Sequence, residues 1–167
     1  MRSYVAVTDP AQGLAVWCWV GPTVTAEQWA AHLDDMRALR EWSHLRCRPS
    51  VIIHMADSLW TPNAVQRRDI ARESAHPEYR PNLAVVTRSP FVRGVIQTFS
   101  WLQKSRPYRI DVFPELATAI RWLEDDRGKP LPSLLDLLAE AHRELDVDPQ
   151  LLREARDRLS VLGEREP

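Results

Sequence analysis

The chain has 167 residues, 44% of them hydrophobic and 27% charged, with a formal net charge of −1. That length suits one domain with an appendage, and near-neutrality removes the electrostatic case for a nucleic-acid or anionic-membrane partner. No run approaches the roughly 18 apolar residues that span a bilayer, so no stable membrane insertion is expected.

The opening segment, MRSYVAVTD, enters a strand pattern at once without a secretory signal. Cys18 and Cys47 lack metal-ligand spacing, and Cys18 falls inside an aromatic run as a buried thiol. A cytoplasmic protein is expected. The basic residues are 20 Arg and 2 Lys, a bias typical of a GC-rich genome. Charge is uneven along the chain: residues 1–130 sum to +3 and residues 131–167 to −4.

Residues 3–9 and 14–20 are β-branched and aromatic runs flanking turn material at Pro10 to Gly13, which predicts a hairpin. Thr25 and Gln28 form a capping box. The helix behind it carries Trp29, Leu33, Met36, Leu39 and Trp42 at spacings of four and three. SVIIHMA then reads as a buried strand. Thr61 followed by Pro62 predicts a helix start, and the helix from 62 to about 75 is polar, with one thin apolar seam.

NLAVVT at 82–87 is the next strand, and Ser89-Pro90 repeats the cap-plus-proline device. The following helix offers Val92, Val95, Ile96, Phe99 and Leu102 to the interior. YRIDVF is the fifth strand, and Pro114 opens a helix bearing Leu116, Ala119, Ile120 and Leu123, with Trp122 beside them. The order ββαβαβαβα predicts an α/β fold with a five-stranded mixed sheet, its first strand antiparallel at an edge.

The tail differs. Leu134, Leu138, Ala141 and Leu145 mark one amphipathic helix, and Leu152, Ala155, Leu159 and Leu162 mark a second beyond the break DVDP. The chain thus divides into an α/β domain over 1–127 and a helical extension over 131–163. Helices this short are marginal alone. The first, 131–145, is expected to dock on its own domain. The second, 149–162, is expected to contribute to a homo-oligomer or partner surface.

Phe113, Ala119, Trp122 and Leu123, with the strand-helix unit VVTRSPFVRGVIQTFSWL upstream, make residues 2–126 similar to the SpoIIAA-like branch of the STAS superfamily. The resemblance implies a regulatory or protein-binding module without catalytic chemistry or a cofactor. In members that antagonise anti-sigma factors, a Ser or Thr in an Asp-Ser-x-Gly-like turn is phosphorylated. The matching stretch here is Asp57-Ser58-Leu59-Trp60-Thr61. It lacks the glycine, so Ser58 is not expected to be a regulated site.

In an open α/β sheet, ligands bind beyond the carboxyl ends of the parallel strands. That rule selects Asp57, Ser58, Trp60, Thr61, Asn63, Arg88, Ser89 and Arg93. Two helix N-termini and two arginines there would suit a phosphate or a carboxylate. Trp60 would suit a protein partner. The leading expectation is a protein-interaction module, and the alternative is a small anionic ligand or lipid bound at this rim. His54, Asp57 and Ser58 suggest a triad, but no nucleophile elbow or oxyanion site accompanies them, so no enzyme is expected. The five histidines show no metal spacing.

Overall fold

A computed structural model describes residues 4–20, 23–56, 62–102 and 108–145. Its strands are β1 (Tyr4–Asp9), β2 (Leu14–Trp19), β3 (Val51–Ala56), β4 (Asn82–Val86) and β5 (Arg109–Phe113). The helices are α1 (Ala26–Arg46), α2 (Ala64–Ser74), α3 (Pro90–Leu102), α4 (Leu116–Arg127) and α5 (Pro132–Leu145). The strands form one sheet in the order β1-β2-β3-β4-β5. β1 is antiparallel to β2 and every other pair is parallel. The α/β fold read from the sequence, with its antiparallel first strand, is the fold observed.

From β2 to β5 the chain advances one strand at a time in one direction. Crossovers of a single hand therefore stack α1, α2 and α3 on one face. The other face is left for α4 and α5, and the period-two alternation of the strands fits this division. Val5, Val7, Leu14, Val16, Cys18, Val51, Ile53 and Met55 face one way, into a cluster with Leu116, Ile120 and Leu123 of α4 and Leu134, Leu138 and Ala141 of α5. Tyr4, Ala15, Trp17, Trp19 and Ile52 face the other way, onto Trp29, Leu33, Met36 and Leu39 of α1.

The hairpin turn fixes how the layers meet. Gly13 adopts a left-handed φ of +67°, and a Cβ there would lie 2.2 Å from Cη2 of Trp42. Only glycine meets both conditions. Trp42 in turn carries the Arg48 guanidinium over its ring at 5.0 Å. At the same turn, Gln12 donates from Nε2 to Ser133 Oγ (2.8 Å) and accepts at its carbonyl from Arg127 Nη2 (3.4 Å). The end of α4 and the start of α5 thus meet at the amino end of β2. From there α5 runs along β1 and β2.

As expected, residues 132–145 dock on their own domain. Leu134, Leu138 and Ala141 have no exposed surface. Each such leucine contributes about 1.5–3 kcal/mol relative to an exposed one. The helix expected over 149–162 lies outside the described residues.

Two helix starts differ from expectation. Asn63, not Thr61, caps α2: its Oδ1 accepts from the amides of Val65 and Gln66 (both 3.0 Å), and Gln66 Oε1 accepts from the Asn63 amide (2.8 Å). The Asn-x-x-Gln box supplies both reciprocal bonds, so Pro62 precedes the helix instead of opening it. Likewise α4 begins at Leu116, after Glu115, two residues beyond Pro114. The capping box at Thr25 and the Ser89 cap ahead of Pro90 form where predicted.

Candidate functional site

The described part of the predicted rim consists of Asn63, Arg88, Ser89 and Arg93. Asp57, Ser58, Trp60 and Thr61 lie outside the described residues. β3 and β4 are adjacent and parallel, so α2 and α3 start side by side at the rim. Both starts are closed by local side chains. Asn63 engages two amides of α2. Ser89 Oγ accepts from the Val92 amide (3.3 Å), and Thr87 Oγ1 accepts from the Ser89 amide (3.2 Å). These caps use donors that an anion would otherwise recruit.

Arg88 is exposed and Arg93 half-buried. Beside them stand two apolar side chains, Phe91 (70% exposed), which the sequence did not single out, and Val65 (62% exposed), which was expected on the thin apolar seam of its helix and faces solvent instead. Each is the second residue of its helix, α3 and α2, so both belong to this rim. The signal was present in the Pro-Phe and Ala-Val steps at the two helix starts. Helical periodicity alone did not say which way they point.

A second cluster was not foreseen as a unit. His32 lies on the buried stripe of α1, between Trp29 and Met36. Its ring sits among Trp17 (4.7 Å between centroids), Trp19 (5.1 Å), Tyr4 (5.4 Å) and Trp29 (5.6 Å). His54 of β3 completes the group, 6.0 Å from Trp17 and 6.4 Å from His32. The Tyr4 hydroxyl donates to Asp35 Oδ2 at 2.8 Å. Its contact with His32 Nδ1 at 3.1 Å therefore needs the proton on Nδ1, which fixes the neutral tautomer.

Burial sets the electrostatics of this group. It lowers the His32 pKa to about 3, with His54 adding a smaller repulsion. It lowers that of His54 to about 4. Burial also raises the Asp35 carboxyl, against the pull of the Tyr4 hydroxyl, and raises the Tyr4 phenol. The result is a neutral, proton-poor aromatic box beneath α1.

Next to the box, α2 is held to α1 by charge. The buried Glu73 carboxylate accepts from Arg37 at Nη2 (3.0 Å) and Nε (3.2 Å), and from Arg40 at Nη1 (3.2 Å). The Trp29 indole donates to Asp69 Oδ2 at 3.3 Å. The exposed Arg72 guanidinium reaches Asp69 Oδ1 at 3.3 Å. His54 belongs to the aromatic box, and its triad reading with Asp57 and Ser58 rests on residues outside the described ones. Among the described residues no group of three or more His, Cys, Asp and Glu side chains could hold a metal ion. No described helix is long and apolar enough to cross a membrane.

Comparison with protein-family models, with curated proteins and with solved structures found no match.

Proposed function

We propose that this chain is a non-catalytic, cytoplasmic interaction or regulatory module of the STAS, SpoIIAA-like type, and that its partner is a protein. One observation carries the choice of partner. At the carboxyl rim both helix starts are closed by their own caps, while Phe91 and Val65 stand open beside them. Capped amides suit an anion poorly, whereas burial of an exposed Phe on association stabilises a complex by about 1.5–3 kcal/mol. Arg88 and Arg93 then form the polar border of an apolar contact, the usual arrangement of core and rim in protein interfaces.

The anionic ligand or lipid remains the second reading, favoured by the two arginines flanking Ser89. Affinity capture from the host followed by native mass spectrometry separates the two. A stoichiometric protein that is lost with Phe91→Ser/Val65→Ser supports the first reading. A retained small molecule that is lost with Arg88→Gln/Arg93→Gln replaces it with the second.

A further inference from the structure

The geometry points to the edge of β5 that no described strand pairs as a self-pairing surface, through which two copies join their sheets antiparallel about Ile110. We infer it from three observations. First, β5 ends the sheet: among the described residues its ladder runs to β4 alone. Second, the hydrogen-bond parity is fixed. The Arg109 amide donates to the Pro81 carbonyl (3.2 Å), and the Thr87 amide donates to the Phe113 carbonyl (3.0 Å). Odd-numbered residues therefore face β4, and Ile110 and Val112 turn their backbone groups outward.

Third, the charges select one register. Antiparallel pairing of outward groups requires even residues opposite even residues. Centred on Ile110, it sets Ile110 against Ile110 of the second copy and Val112 against Tyr108. It also sets Arg109 of each chain opposite Asp111 of the other, twice by symmetry. Shifted by one pair, the register sets Asp111 against Asp111 or Arg109 against Arg109, and like charges directly opposite are unfavourable.

Both side chains are exposed and held nearby. Asp111 Oδ1 accepts from the Val112 amide at 2.8 Å. Arg109 is ion-paired with Asp126 and lies 5.3 Å from the Trp122 ring centre. In the lone chain Asp111 thus covers one of the two outward donors of the edge. On pairing, the carboxylate turns to the guanidinium of the other copy, and the Val112 amide is released to the new strand. The same residue that guards the edge against other strands admits this one. The inference uses none of the residues assigned to the proposed rim partner.

The test is a charge exchange on the full chain, read by sedimentation equilibrium and native mass spectrometry. The wild type is expected to dimerise. Asp111→Lys and Arg109→Glu should each weaken the dimer by about tenfold or more, because two attractive pairs become repulsive. Mixing the two variants should restore a heterodimer, since Arg109 then meets Asp111 and Lys meets Glu. Should Arg109→Glu fail to fold through loss of the Asp126 pair, Ile110→Pro is the second test. It deletes an outward amide that no bond to β4 uses and should abolish the dimer while circular dichroism stays unchanged. A wild type that stays monomeric at its highest soluble concentration overturns the assignment. So does a dimer that survives Asp111→Lys or Ile110→Pro, whether it forms through the tail or another surface.

Discussion

The two faces of the sheet are built from different chemistry. Under α4 and α5 the contact is mainly aliphatic: Val5, Val7, Leu14, Val16, Val51 and Ile53 meet Leu116, Ile120, Leu123, Leu134 and Leu138. Under α1 the contact is aromatic and carries polar groups: Trp17, Trp19, Trp29 and Tyr4 enclose His32 and His54, with Asp35 at the margin. The first face is stabilised chiefly by apolar area, which pH does not alter, and carries one buried imidazole, His142 of α5. The second holds only while its imidazoles are neutral. With two buried imidazoles among its aromatic rings, the α1 face is expected to respond to acid more strongly than the α4–α5 face and to lose structure first.

The largest effect is expected on the aliphatic side. Leu138→Ala empties a fully buried site and should cost about 2–5 kcal/mol in denaturant unfolding, by the same amount at neutral and mildly acid pH. Acidification should act on the opposite face. The folded pKa values of about 3 for His32 and about 4 for His54 lie below the ordinary imidazole value. From near pH 6.5 downward the unfolded chain therefore binds protons that the folded chain does not. Stability falls as pH falls, by about 1.4 kcal/mol per pH unit for each imidazole, until the folded values are reached. Asp35 opposes this in part, because its raised carboxyl takes up a proton earlier in the folded chain. His54→Phe should flatten the pH dependence measured by urea unfolding at a series of pH values.

A smaller change should follow Glu73→Ala. It leaves Arg37 and Arg40 without their shared carboxylate and should cost about 1–2 kcal/mol, weakening the α1–α2 contact without touching α5. Asn63→Ala should cost about 1 kcal/mol by opening the start of α2, visible as a modest fall in thermal midpoint.

The aliphatic face was legible from the sequence because its signals are periodic. Leu134, Leu138, Ala141 and Leu145 repeat at helical spacing, and they are buried as that spacing requires. The order of elements along the chain and the antiparallel first strand followed from alternating patterns and short connections. The aromatic face was only half legible. Trp17 and Trp19 share a side by period two, as expected. His32, however, sits on an apolar stripe where the pattern calls for a hydrophobe, and only the approach of β1 and β3 gives it Tyr4 and His54 as neighbours. Such contacts join residues far apart in sequence, which no local period encodes. The caps show the same limit at short range: Thr61-Pro62 and Asn63-x-x-Gln66 are both acceptable starts, and the reciprocal pair of bonds favoured the second.

The most direct test of the two-face account is native-state amide hydrogen exchange at pH 7 and pH 5, after correction for intrinsic rates. The α1 amides around Trp29 to Met36 are expected to lose more protection at pH 5 than those of α4 and α5. Equal loss on both faces, or greater loss in α4 and α5, would contradict it.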